Sequence, residues 1–168
     1  HWSKAYDDLI RAMALLPEAT LTIVGDGPER EHLLFLVEEL RLRERVQITG
    51  SLSYIHFVDM LLNATAYVQS SIAEGFSNAL AEAMACGKLV FATPVGGTSE
   101  VICDGVNGII LPIANPSGIA QRLELARDSQ MKRQLGEQAR QTALQQFTSD
   151  RHATQFAKFF ASALIARD

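Results

Sequence analysis

The chain has 168 residues, 48% of them apolar and 20% charged, with a formal net charge of -4. That mix excludes a disordered or collagen-like chain, and the length leads us to expect about one domain whose core needs no disulfide or metal. The acidic balance offers no basic face for a phosphate backbone, so nucleic acid is excluded as a partner.

The two cysteines, Cys86 and Cys103, are too few for a disulfide framework, and reduced thiols are expected. Neither an apolar run of membrane-spanning length nor a secretory leader is read, so a cytoplasmic chain is expected. The first residues, His1-Trp2 in place of Met, read as the start of a cut piece.

Leu9, Ile10, Met13 and Leu16 have helical spacing, which predicts a helix from Lys4 to Leu16, ended by Pro17. Thr20 to Val24 is a β-rich run that stops at Gly25-Asp26-Gly27. Pro28 suits the first turn of a helix whose buried stripe is Leu33, Leu36, Val37 and Leu40. Val46 to Ile48 predicts a strand closed by Gly50, Tyr54 to Leu62 a helix, and Ala66 to Ser70 a further strand. A helix from Ser77 to Cys86 and a strand over Leu89 to Ala92 follow, and Asn107-Gly108 marks a turn before a strand at Ile109 to Leu111. Beyond Pro116 only helices are predicted: Ser117 to Asp128, Gln130 to Phe147 and Ser149 to Ala166. Strands alternating with helices imply a doubly wound parallel α/β sheet with a helical C-terminal segment. Ligands of such sheets bind beyond the carboxyl ends of the strands, which directs attention to the loops there.

Gly25-Asp26-Gly27-Pro28 reads either as a tight turn or as a backbone that approaches an anion at a helix start. It is not the dinucleotide fingerprint, whose third glycine would fall at Arg30. In the stretch from Ser70 to Asn78, Gly75 and the amides of the next helix form a cradle suited to phosphate. Ser77 or Asn78 can cap that helix or donate to a ligand. The helix is small and apolar apart from Glu82, so we expect a buried carboxylate that needs either a salt bridge, from Lys88 or an arginine, or a ligand. Gly96-Gly97-Thr98-Ser99 is a third glycine-rich loop on the same edge. Three such loops with Glu74 and Glu82 nearby suit a phosphorylated ligand bearing hydroxyls. His1, His32, His56 and His152 lack metal-ligand spacing, and neither a P-loop nor a nucleophile elbow is present.

The stretch Glu74-Gly75-Phe76-Ser77-Asn78-Ala79-Leu80-Ala81-Glu82, continuing to Lys88, resembles the Glu–seven residues–Glu signature of retaining GT-B glycosyltransferases. These are the group 1 enzymes, glycogen-synthase-like and mannosyltransferase-like. Gly25-Asp26-Gly27-Pro28, the Gly50 loop, Gly96 to Glu100 and Asp104 to Gly108 recur in that family in this order.

The resemblance implies that residues 1–168 form the C-terminal, Rossmann-like donor-binding domain of a two-domain hexosyltransferase-type enzyme. The isolated chain would be inactive without its N-terminal acceptor domain. Catalysis would rest on Lys4, which neutralises the leaving diphosphate, and on Glu74, which accepts from donor sugar hydroxyls. The donor would be held by Gly25, Asp26, Gly27, Gly75, Phe76, Ser77, Asn78 and Ala79, with Glu82 on the ribose hydroxyls. Backbone from Arg45 to Gly50 would line the base pocket. The family's Lys-Gly pair is Lys4-Ala5 here, and its arginine and first strand would precede Lys4, leaving an unfilled slot in the sheet. The implied donor is a UDP-, GDP- or ADP-linked sugar, with no metal, no cofactor and no membrane contact by this half. A non-catalytic nucleotide-sugar binding module is the alternative, and a related epimerase or phosphorylase is a third.

Overall fold

The structure is a computed structural model that describes residues 2–147, so the helix expected over 149–166, together with His1 and His152, lies outside the described residues. The elements run α1 (Tyr6–Ala14), β1 (Leu21–Ile23), α2 (Arg30–Glu39), β2 (Val46–Ile48), α3 (Tyr54–Asn63), β3 (Ala66–Gln69) and α4 (Asn78–Ala85). After these come β4 (Leu89–Ala92), α5 (Thr98–Val101), β5 (Ile109–Ile110), α6 (Pro116–Leu123) and α7 (Ser129–Gln146).

All the strand pairing is parallel. β1 pairs with β2, and β4 lies between β3 and β5. The sheet therefore falls into two parts, ordered β2-β1 and β3-β4-β5. The usual doubly wound order is 3-2-1-4-5-6, and the order here matches it with the central position left out. Among the described residues, the second edge of β1 and that of β3 pair with no strand.

Every residue of β4 is buried, because helices cover both faces of a parallel sheet. Its side chains alternate. Leu89 and Phe91 join Ile10, Met13, Leu36 and Ile119 of α1, α2 and α6 in one cluster. Val90 and Ala92 join Leu61, Leu80, Met84 and Ala139 of α3, α4 and α7 in the other. This is the doubly wound α/β architecture that the strand–helix alternation predicts.

Two boundaries depart from the expectation for identifiable reasons, and one short helix is additional to it. Lys4 belongs to a short 3-10 turn (Trp2–Lys4), and α1 begins only at Tyr6 because Ala5 is left-handed, with φ 48°. The helix expected over 117–128 stops at Leu123 and tightens into a 3-10 turn (Glu124–Arg127). The chain must turn there, since Asp128 immediately caps α7 by accepting from the amides of Gln130 and Met131. Thr98 to Val101 forms the one-turn helix α5.

Candidate functional site

Loops from the carboxyl ends of the strands meet on one edge, and polar contacts tie them together. The amide of Gly25 donates to the carbonyl of Gly50 at 2.9 Å, joining the loops after β1 and β2. Asp26 accepts from the Gly27 amide at 2.7 Å, so this loop is a self-bonded turn.

The loop after β3 is held more extensively. The Ile72 amide donates to the Ser3 carbonyl at 2.8 Å, and the Ser70 hydroxyl donates to the Lys4 carbonyl at 2.8 Å. This brings the turn that carries Lys4 against residues some seventy positions further along. The Lys4 ammonium donates to Glu74 Oε2 at 2.6 Å, and the Ser71 hydroxyl donates to the same oxygen at 2.8 Å. Glu74 Oε1 takes no hydrogen bond among the described residues. Burial pushes the Glu74 carboxyl up, but the hydrogen bonds from Lys4 and Ser71 and the Lys4 charge outweigh it and hold it below its ordinary value.

Gly96 fixes the other side of this loop. A Cβ there would lie 2.0 Å from the Glu74 carbonyl oxygen, and φ is +52°, so glycine is required twice over. Next to it the Gly97 amide donates to the Gly75 carbonyl at 2.8 Å. Beyond Gly75, Ser77 caps α4 by accepting from the Leu80 amide. The first two amides of α4, Asn78 and Ala79, have no acceptor within their own helix and are available to an anion. Burial pushes the nearby Tyr67 phenol up to about 12, against the pull of Ser77, so it stays neutral.

A cleft of about 250 Å³ opens beside Lys4, lined by Tyr6, Ile23, Gly25, Asp26 and Gly27 among others. The arrangement thus offers a cation, a carboxylate with a free oxygen, and unsatisfied amides at a helix start. That set suits a ligand with both negative charge and hydroxyls.

The family model described as Glycosyl transferases group 1 matches residues 1–142. This chain belongs to the group 1 glycosyl transferases. It is 33% identical over 165 residues to N-acetyl-alpha-D-glucosaminyl L-malate synthase of Bacillus anthracis, covering 96% of this chain and 43% of that protein. Sucrose-phosphate synthase of Thermosynechococcus elongatus superposes with a TM-score of 0.89 at 27% identity, over 99% of this chain and 44% of that one. Anabaena HepE, solved in complex with UDP-glucose, gives 0.87 at 26% identity over 96% of this chain and 46% of that chain. The chain therefore spans under half the length of these relatives.

In this chain, Lys4, Glu74, Gly75, Phe76, Ser77, Asn78 and Ala79 come together at the Glu74 loop and the start of α4. The Phe76 ring packs on Phe147 at 5.0 Å between centroids, so one side of it is occupied. Gly25, Asp26 and Gly27 line the cleft with Lys4.

Glu82 requires a correction. It is half-buried rather than enclosed, because α4 buries only the face of Leu80, Ala83 and Met84. The proposed salt bridge with Lys88 does not form: that ammonium donates to the Leu62 and Ala64 carbonyls instead. Among the described residues Glu82 has neither an ion pair nor a side-chain hydrogen bond, which leaves its carboxylate open to a ligand.

The stretch from Arg45 to Gly50, expected to line a base pocket, divides between the two ends of β2. Arg45 lies at the amino end of β2, where its guanidinium donates to the Met13, Leu16 and Ala19 carbonyls and closes the end of α1. Only Ile48 of that stretch lines the cleft, with Gly50 bonded to Gly25.

Sequence reasoning gave no role to Ser70, Ser71 or Thr93, whose hydroxyls brace the Glu74 loop. Three buried polar residues in succession at the end of a strand, Gln69-Ser70-Ser71, are the signal that marks them. Of the histidines, His32 pairs with Asp7 at 2.5 Å and His56 with Ser53 at 2.7 Å. Among the described residues, no three His, Cys, Asp or Glu side chains cluster to hold a metal ion, and no helix is long and apolar enough to cross a membrane.

Proposed function

We propose that this chain binds the nucleotide-sugar donor of a retaining glycosyl transferase whose acceptor-binding part lies outside residues 1–168. The observation that carries the reading is the Lys4–Glu74 pair, closed at 2.6 Å beside the open amides of α4. In this reading the free Glu74 oxygen accepts from a sugar hydroxyl. Lys4 and the amides from Gly75 to Ala79 bind the diphosphate, and Glu82 binds the ribose hydroxyls.

During transfer the bond from the anomeric carbon to the diphosphate oxygen breaks and a bond to the acceptor oxygen forms on the same face. The acceptor's proton leaves with the diphosphate. Negative charge grows on that leaving group, so the Lys4 ammonium and the helix amides lower the barrier by stabilising it. In this reading the protein's own cations supply the charge, without a metal. We place the enzyme in the cytoplasm, where nucleotide sugars meet reduced cysteines.

UDP-sugars are the first donors to test, since UDP-glucose is bound by HepE, whose fold and sequence this chain shares in part. The test is a thermal-shift and calorimetric panel of UDP-, GDP- and ADP-sugars on the 168-residue chain. One nucleotide should raise the melting temperature and bind with a one-to-one stoichiometry. No binding by any of them overturns the reading. Binding without transfer, once the acceptor-binding part is restored, would favour a non-catalytic module.

A further inference from the structure

We propose that Ser70 and Ser71 are positioning residues whose hydroxyls hold Lys4 and Glu74 together in the geometry that meets the donor. The inference rests on the function proposed above and assigns the residues that make its central pair rigid.

Both serines are almost fully enclosed, Ser70 at 3% and Ser71 at 1% exposure. A hydroxyl that deep is unfavourable unless it is hydrogen-bonded, so the partner it finds reveals what it is for. Neither serine spends its proton on its own strand. Ser70 donates to the Lys4 carbonyl at 2.8 Å, across 66 positions. Ser71 donates to Glu74 Oε2 at 2.8 Å, the oxygen that Lys4 also reaches.

The two bonds do different things. Ser70 anchors the backbone of the lysine, whose side chain has four rotatable bonds and would otherwise wander. Ser71 fixes which carboxylate oxygen faces the ammonium. With Oε2 engaged twice, Oε1 is the oxygen left for a ligand.

The serines are themselves anchored. The Thr93 hydroxyl donates to the Ser71 carbonyl, and the Thr93 amide donates to the Gln69 carbonyl at 3.0 Å. The stiffness of the β3–β4 pair therefore passes through two hydroxyls to residues that sit on a turn and a loop. A local turn motif explains Ser71 and Glu74, three residues apart, but not Ser70 acting on Lys4. Groups that must meet a ligand within fractions of an ångström need support of this kind.

The test is a carbon-13 NMR titration of the Glu74 carboxyl in the 168-residue chain. The titratable groups that act on it are Lys4, Tyr6 and Tyr67, and burial raises both phenols above their ordinary value, so only Lys4 is charged near the Glu74 midpoint. The wild-type midpoint should lie below 4.5, as the net effect of the Lys4 and Ser71 bonds. It should rise in Ser71→Ala and in Ser71→Cys, a poor donor of similar size, and return in Ser71→Thr. It should also rise in Ser70→Ala, towards the value of Lys4→Met, because the ammonium is no longer held.

A midpoint unchanged in the folded Ser71 and Ser70 variants, while Lys4→Met moves it, overturns the proposal. Loss of stability alone lowers the melting temperature without moving this midpoint. As a second readout, UDP-glucose affinity should fall about tenfold in Ser71→Ala, the scale of one hydrogen bond to a charged group, and UDP affinity by less. If the wild-type chain binds none of the UDP-, GDP- and ADP-sugars, the proposed function fails, and the carboxyl titration still decides the positioning claim.

Discussion

Replacing Gly96 by alanine puts a methyl group 2.0 Å from the carbonyl oxygen of Glu74 and 2.3 Å from that of Gly75. Both obstacles are backbone, so no side chain can swing aside. Ordinary contact of that kind begins at 3.4 Å, and the Gly96 turn and the Glu74 loop must separate to reach it. A shift of about 1 Å in a positioned group costs on the order of 100-fold in function. Left-handed backbone adds about 1–2 kcal/mol for a residue with a Cβ.

Gly105 separates these two effects. Its φ is +72°, but a Cβ there meets nothing within 4 Å. Gly105→Ala should therefore lower stability by about 1–2 kcal/mol and leave donor binding intact. Gly96→Ala should lose more stability and at least about tenfold in UDP-glucose affinity. Thermal melts and calorimetric titrations of both variants decide the matter. Equal effects in the two variants, or wild-type donor affinity in Gly96→Ala, would refute the claim that Gly96 holds the Glu74 loop.

Three further outcomes are expected. In the proposed transferase, with an acceptor-binding part restored, Lys4→Ala and Glu74→Gln should each cut turnover at least ~100-fold, the scale of losing a key electrostatic group, while Glu82→Ala weakens nucleotide binding more than chemistry; steady-state kinetics against donor concentration separate the two. Ala5→Gly should raise stability by roughly 0.5–1 kcal/mol, since relief of the left-handed alanine exceeds the added freedom of the unfolded chain; a denaturant melt measures it. The hydrogen bond and charge of Asp7 raise the His32 midpoint above 6.5, so the pair's contribution is complete below 6.5 and fades as pH rises through the folded midpoint. A proton NMR titration should show that midpoint falling in Asp7→Asn.

The alternation of strands and helices was legible because β-branched runs such as Leu21–Ile23 and Val46–Ile48 end at glycines that the turns need. Glu74 and Ser77 were legible for a similar reason, being a loop carboxylate and a helix cap with local signatures. Glu82 misled because alanine contributes to apolar composition without marking a face, so α4 looked buried all round when only one side is. The serine braces were hidden because their partners are distant in sequence. Nothing near Ser70 announces that its hydroxyl will reach Lys4. The 3-10 turn at Glu124 was equally silent, since the reason for it is the cap on the next helix.

The central claim is that the Glu74 loop and the start of α4 receive a nucleotide sugar. Titrating UDP-glucose, followed by a GDP-sugar and an ADP-sugar, into the nitrogen-15-labelled 168-residue chain, with backbone amide shifts followed by NMR, tests it most directly. The account predicts saturable shifts concentrated at Gly75 to Ala79 and at Lys4, with Gly25 and Gly27 joining them, and their loss in Glu74→Gln. An unchanged spectrum with every one of these sugars, or shifts confined to residues away from the carboxyl ends of the strands, would contradict it.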